Sequence, residues 1–336
     1  MYTTMLEEIL AGENLATDQA EQLMDQIMDG QLTPAQIGGL LIALKNKGET
    51  IDEIAGFVRS MRKHSVKIKL NDPMAVDGCG TGGDGSDSFN VSSAAALITA
   101  GAGVTVAKHG NRSVSSKCGS SDILERTGGK IAPGVEKTTQ LLHEVGFAFL
   151  FAPAFHPAMK HAIGPRRELG VRTVFNILGP MTNPAGVKRQ IIGVYDKALM
   201  KVMAEVLRQT GSVHVITQHS HDGMDEFSIT APTDYVELKN DKIQSNMISP
   251  EEVGLKTYSK GALAGGDVEH NYKICLDILD GNQSAYRDAS LFNAGAMLYV
   301  ANKVDSIKSG VQLAAETVDS GRAKQKLAEW ITVSNS

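Results

Sequence analysis

The chain has 336 residues, of which 42% are hydrophobic and 21% charged, and its net charge is −5. That length suits about two domains of ordinary globular composition. The negative balance argues against general binding to nucleic acid or to an anionic membrane surface, and no apolar run nears the ~18–20 residues of a membrane span.

The N-terminal stretch MYTTMLEEILAGENLATDQ is acidic and lacks the basic-then-apolar pattern of a secretion signal. Cys79, Cys118 and Cys275 form no metal-spaced pair, and their odd number suits free thiols in a reducing cytoplasm. A cytoplasmic location is therefore expected.

Residues 1 to about 66 read as helices only. Thr33-Pro34 supplies an N-cap and a first-turn proline for AQIGGLLIALKNK, which Gly48 ends. Thr50 and Glu53 have the spacing of a capping box, and Ile51, Ile54, Ala55, Val58 and Met61 recur at helical period. Such a segment must bury its apolar faces against the rest of the chain or a second subunit.

From Met74 the pattern changes. Met74-Ala75-Val76 reads as a short strand entering a glycine-rich loop, SSAAALITAGAG as a helix, and Val104 to Ala107 as the next strand. SSDILERTG follows as a helix stopped by Gly128. Strand, loop, helix, strand, loop, helix at this spacing is a βαβ unit with parallel strands.

GFAFLF (146–151), QIIGVY (190–195) and VHVIT (213–217) are further strand candidates, and YVELKNDKIQ reads as a hairpin turning at Asn240-Asp241. ASLFNAGAMLYVANK and the final VQLAAETVDSGRAKQKLAEW read as helices. The expected fold is thus α/β, with a small helical domain over residues 1–68 and a large α/β domain over 74–336. A Pro-, Gly- and Arg-rich interruption offers a segment, around 162–185, that returns to the helical domain or lines the cleft.

The chemistry gathers at two loops. DGCGTGGDGSDSFNVS (77–92) holds five glycines between Gly78 and Gly85, and AKHGNRSVSSKCGSSD (107–122) holds Lys108, His109, Arg112 and Lys117. In a βαβ unit both leave the carboxyl ends of adjacent parallel strands, the edge where open α/β sheets bind ligands.

Glycines let backbone N–H groups approach phosphate oxygens, and the helix beginning near Asn90 adds its N-terminal dipole. From Ser88 to Ser121 there is no Asp or Glu. The pair therefore reads as an anion site, phosphate or diphosphate. GTGGDG by itself fits neither the dinucleotide nor the Walker pattern, and a plain turn remains open for that loop alone. A lone histidine such as His109 is more often structural than catalytic.

A third feature, His221-Asp222-Gly223-Met224-Asp225-Glu226, follows the strand VHVIT. Adjacent carboxylates at a strand's carboxyl end can hold Mg²⁺, which takes oxygen ligands and shares them with substrate phosphates. A solvated acidic turn is the other reading of the same residues.

Taken together, GTGGD (80–84), SFNVSS (88–93), KHGNRSVSSKCGSSDILE (108–125), HPAMKHAIGPRRELGVRTVFNILGPMTNPA and DGMDE (222–226) closely resemble the anthranilate phosphoribosyltransferase family, in order and over essentially the whole chain. The resemblance implies a nucleoside phosphorylase-like fold with a central, mostly parallel sheet flanked by helices, and a homodimer formed through the helical domain. It implies transfer of a phosphoribosyl group from phosphoribosyl diphosphate to anthranilate, in tryptophan biosynthesis, with Mg²⁺.

It also places the donor on Gly80, Gly83, Asp84, Ser88, Asn90, Val91, Ser92, Ser93, Lys108, His109, Gly110, Asn111, Arg112, Ser113, Val114, Ser115, Ser116 and Ser120. Anthranilate falls on Gly80, Asn111 and Arg166, and the metal on Ser92, Asp225 and Glu226. Lys108 and Arg166 are the residues expected to serve the chemistry directly.

Ser88, Cys118 and Phe227 depart from the family's frequent residues, and none of these changes removes a charged or metal-binding group. Two other readings compete. One is a pyrimidine nucleoside phosphorylase of the same fold, against which the KHGNRSVSSKCGSSD and RRELG segments speak. The other is a non-catalytic nucleic-acid-binding relative, which the acidic balance and complete loops disfavour. No nucleic-acid or membrane partner is expected.

Overall fold

The computed structural model describes residues 1–112 and 117–336. The helical N-terminal domain contains α1 (Tyr2–Leu10), α2 (Thr17–Met28), α3 (Pro34–Lys47) and α4 (Ile51–His64). The α/β domain begins with β1 (Val76–Gly80), α5 (Val91–Gly101), β2 (Val106–Gly110), α6 (Ser120–Arg126), α7 (Val135–Glu144) and β3 (Phe147–Phe151). Next come α8 (Ala152–Phe155), α9 (Lys160–Leu169), α10 (Phe175–Leu178), β4 (Arg189–Gly193), α11 (Leu199–Gln209) and β5 (His214–Ser220). The hairpin β6 (Thr233–Lys239) and β7 (Lys242–Ile248) is followed by α12 (Val268–Leu279), α13 (Ala285–Val300), α14 (Ile307–Asp319) and α15 (Arg322–Asn335).

The helix signals act as their chemistry predicts. The Thr33 hydroxyl accepts from the Gln36 N–H at 3.3 Å, and Gly48 ends α3 at φ +87°. Thr50 and Glu53 form a reciprocal capping box, and the buried Glu53 carboxylate also accepts from the Leu15 N–H and pairs with Lys47, each at 2.9 Å. One carboxylate thereby ties the start of α4 to the end of α3 and the approach to α2.

The seven strands lie in the order β3-β2-β1-β4-β5-β6-β7, parallel from β3 to β5 and antiparallel in β6 and β7. Asn240 and Asp241 turn the hairpin at φ +51° and +59°, the left-handed region that Asn and Asp tolerate. β1 and β2 begin later than the hydrophobic pattern suggests and run into the glycines: Gly78 pairs with Ile191 and Gly80 with Gly193. Ladder hydrogen bonds need only backbone, so the first half of the glycine run is strand rather than loop.

Two cores result. Leu97, Ile98, Phe147, Phe292 and Trp330 belong to the one that contains α5, α13 and α15. The other joins the helical domain to residues of β4, β5 and α11, through Ile192, Val215, Met203 and Leu207. Ala162, Val174, Phe175, Ile177, Leu178 and Met181, from the Pro- and Arg-rich interruption, are buried in this second core. Among the described residues no helix is long and apolar enough to cross a membrane.

Candidate active site

β1, β2 and β3 step outward in one direction, and β4 then returns to the opposite flank of β1. The boundary between β1 and β4 is therefore the sheet's topological switch point, where a crevice opens at the carboxyl ends of the strands. Gly80 and Gly193 end the two strands there, in register with each other.

The acidic turn is seated on these two glycines. A Cβ at Gly80 would lie 2.4 Å from Asp225 Oδ2, and one at Gly193 would lie 1.8 Å from the Asp225 carbonyl oxygen. Neither position tolerates a side chain while Asp225 stays where it is. The Gly82 N–H donates to Asp225 Oδ2 and the Asp225 N–H donates to Asp84 Oδ2, both at 3.3 Å. The glycine loop and the acidic turn are thus hydrogen-bonded in both directions, although 141 residues separate Asp84 from Asp225.

This closeness has an electrostatic cost. Burial and then the neighbouring Asp84 charge push the Asp225 carboxyl up to about 7. Burial, followed by the Asp225 charge, also raises Glu226 well above the usual carboxylate range, with Lys108 pulling the other way. Three carboxylates therefore share the crevice with the charge of Lys108.

Among the described residues, no three His, Cys, Asp or Glu are grouped to enclose a metal by themselves. An underneutralised, incomplete oxygen set fits a hard divalent cation that completes its shell with water and phosphate oxygens. It does not fit a closed structural metal site.

Lys108 is 1% exposed. Its Nζ donates to the Gly78 carbonyl at 2.8 Å and to Ser92 Oγ at 3.2 Å, so it pins β1 to the first turn of α5. Burial pulls its pKa down, and the Asp77 carboxylate opposes that. Asn90, Val91, Ser92 and Ser93 form the start of α5, and the Ser92 N–H donates to the Glu226 carboxylate. Ser93 Oγ is buried with no hydrogen-bond partner among the described residues. Ser88 is held by Ser86, whose hydroxyl donates to Ser88 Oγ at 3.1 Å.

The second loop divides. The His109 N–H donates to buried Asp77 at 3.1 Å, while its ring lies 5.2 Å from that of His156. Burial first, and then His156, hold the His109 imidazole down to about 3. Gly110 ends β2, and the Asn111 carbonyl accepts from Ser120 Oγ at 3.2 Å.

Arg112, expected from sequence to meet the donor, is paired with Asp122 at 2.6 Å and Glu125 at 3.0 Å. These two acids begin just past the acid-free stretch, and α6 folds them back onto the loop. Ser113, Val114, Ser115 and Ser116 lie outside the described residues.

Arg166 stands on α9, half-buried, with its guanidinium 5.1 Å from the centre of the Phe175 ring. Burial lowers its pKa, and no acidic side chain pairs with it among the described residues. A desolvated guanidinium in that state is a receptor for a carboxylate. Gly83 meets the same segment, since its carbonyl accepts from Arg172, whose guanidinium lies 4.0 Å from the Tyr195 ring centre.

Sequence reasoning missed the residues that hold the loops. Buried Asp77 accepts from Asn183 at 2.8 Å as well as from the His109 N–H. Asn90 donates to the Cys118 carbonyl at 3.1 Å and accepts from Asn271 at 3.0 Å, a partner 181 residues away. Asp77 sits beside the glycine run and could have been flagged. Asn183 and Asn271 carry no spacing signal.

Comparison with known proteins agrees with this geometry. The model of the glycosyl transferase family a/b domain matches residues 72–324, and that of the family's helical bundle domain matches residues 3–65. Anthranilate phosphoribosyltransferase of Petrotoga mobilis is 45% identical over 335 residues, covering 100% of this chain and 97% of that protein.

The crystal structure of anthranilate phosphoribosyltransferase from Thermus thermophilus superposes with a TM-score of 0.93 at 39% identity, covering 98% of this chain and 99% of that one. The enzyme from Saccharomyces cerevisiae, solved in complex with PRPP and Mg, gives 0.90 at 26% identity, covering 99% and 98%. A full-length match at this identity, on a fold with both domains in place, has one reading: this chain belongs to the anthranilate phosphoribosyltransferase family of glycosyl transferases.

Proposed function

We propose that this chain transfers the phosphoribosyl group of 5-phosphoribosyl 1-diphosphate to the amine of anthranilate, releasing diphosphate and N-(5-phosphoribosyl)anthranilate. The observation that carries the proposal is the underneutralised trio Asp84, Asp225 and Glu226, in which Asp225 is hydrogen-bonded to Gly82 and Asp84 of the glycine loop at the switch point of the sheet. Ser92, Asp225 and Glu226 would hold Mg²⁺. When bound with the diphosphate, that ion supplies neutralising charge to the leaving group.

The remaining work falls to the chain. Backbone N–H groups of the glycine loop and the start of α5 orient the diphosphate. Lys108 holds positive charge beneath it, and Arg166 clamps the anthranilate carboxylate so that the amine faces C1 of the ribose. The amine nitrogen then forms its bond to C1 as the C1–O bond to diphosphate breaks, and the resulting arylammonium gives its proton to water or departing diphosphate.

No protein nucleophile is required, because the acceptor brings its own. His109 serves as a wall residue, since an imidazole held neutral and buried is a poor exchanger of protons with solvent. Exposed apolar side chains Leu10, Ile42 and Ile163 on α1, α3 and α9 support a homodimer formed through the helical domain. The place of such an enzyme in a biosynthetic pathway supports a cytoplasmic location.

The test is direct. The purified chain, given both substrates and Mg²⁺, should consume anthranilate, read as loss of its fluorescence. Phosphorolysis of a pyrimidine nucleoside without anthranilate consumption would overturn the proposal.

A further inference from the structure

Asn293 lies inside α13 and is fully buried. Asparagine is a poor helix former, and a buried amide is costly unless its hydrogen bonds are met. Here they are met, largely by another segment's backbone. Nδ2 donates to the Phe227 carbonyl at 2.9 Å and to Ala289 of its own helix at 2.9 Å, while Oδ1 accepts from the Phe227 N–H at 3.1 Å.

Gln218 on β5 extends the grip. Its Nε2 stands 3.4 Å from Asn293 Oδ1 and 3.4 Å from the Asp225 carbonyl. The backbone is therefore held immediately before and immediately after Glu226. The Phe227 ring locks the same point by stacking on Phe292 at 4.9 Å.

This grip has a specific load to carry. Asp84, Asp225 and Glu226 repel one another, and a loosely held turn would relieve the repulsion by swinging its carboxylates toward water. Asn293 and Gln218 oppose that movement without touching either carboxylate.

We infer that Asn293, supported by Gln218, is a positioning residue for phosphoribosyl transfer: it fixes the acidic turn in its donor-binding geometry through the backbone of Phe227. The inference rests on the reading that Asp225 and Glu226 serve the donor. Outer residues of this kind typically change affinity or activity by about 10- to 100-fold when removed.

The experiment compares Asn293→Leu, of similar size but without hydrogen bonds, with Val318→Ala, a core truncation on α14 at a residue 2% exposed. Amide exchange is measured first, without substrate. Asn293→Leu should speed exchange over residues 222–228 by about 10-fold relative to Val318→Ala, in the manner of a local opening. Kinetics follow: KM for phosphoribosyl diphosphate should rise about 10- to 100-fold while KM for anthranilate stays within about two-fold.

Gln218→Leu removes only the outer part of the grip, so it should fall between the parent and Asn293→Leu. It also carries both readouts should Asn293→Leu fail to fold. Exchange and donor KM indistinguishable from Val318→Ala, or equal rises in both KM values, would overturn the inference. A parent protein that does not consume anthranilate removes the parent reading instead, and the exchange measurement then decides the clamp alone.

Discussion

Asp225 is 8% exposed, hydrogen-bonded to Gly82, Asp84 and Gln218 and packed on Gly193, whereas Arg166 is half-buried on α9 with an aromatic ring beside it and no acidic partner among the described residues. On the function proposed above, the donor side of the cleft is pre-built and electrostatically overloaded, and the acceptor side is a cation waiting for an anion. The difference follows from what each must bind. A diphosphate with a divalent ion brings large charges that must be met at fixed points, while a small aromatic acid needs one charge-assisted anchor and an apolar wall.

The largest expected effect comes from dismantling the overloaded side. Asp225→Asn with Glu226→Gln should lower Mg²⁺-dependent activity by about 10²-fold or more. The substrate-free double variant should nevertheless melt at a higher temperature than the parent, because burial and Asp84 penalise the ionised Asp225 carboxyl. An unchanged Mg²⁺ titration breaks the metal assignment, and a lowered melting temperature breaks the claim of overload.

Arg166→Ala comes next. Loss of a charge-assisted anchor worth about 1.5–3 kcal/mol should raise KM for anthranilate about 10- to 100-fold and leave KM for the donor nearly unchanged. Equal rises for the two substrates would show that the two sides are not separate.

The smallest effect tests the buried seam where the His109 and His156 rings meet. Burial is the main cause that lowers both imidazoles from an ordinary 6.5, to about 3 and about 4. Above pH 6.5 both are neutral whether the chain is folded or not. As pH falls below 6.5 the unfolded chain takes up protons that the folded chain refuses, so stability is lost through the window from 6.5 toward 4.

At pH 5 that loss is on the order of 1 to 2 kcal/mol per imidazole. Asp225 and Glu226, raised by burial, change stability in the opposite sense over the same range, so the parent is compared with His109→Asn plus His156→Asn. Between pH 7 and 5 the parent's melting temperature should fall relative to the variant's, and a constant difference between the two profiles would mean that water reaches the seam.

Most of the fold was legible because its signals are local. Thr33-Pro34 and Thr50 with Glu53 mark helix starts, and Asn240-Asp241 marks the hairpin, through chemistry confined to a few neighbouring residues. Strand limits were less legible where glycines pair by backbone alone, as at Gly78 and Gly80. In the site, the glycine loop and DGMDE announced themselves by composition, whereas Asn183, Asn271 and Asn293 did not. Each is an ordinary asparagine whose value lies in a backbone group or side chain brought close by packing.

By itself the sequence determined the helical and strand segments, the βαβ order that turns two loops to one sheet edge, and the chemical character of those loops. Only the tertiary structure decided that β4 returns beside β1, which opens the crevice at Gly80 and Gly193 and sets Asp225 onto it. It alone set Asp122 and Glu125 of α6 against Arg112 and left Arg166 without an acidic partner among the described residues. Charges counted along a chain add regardless of place, but their energies depend on distance and burial, and only folding assigns those.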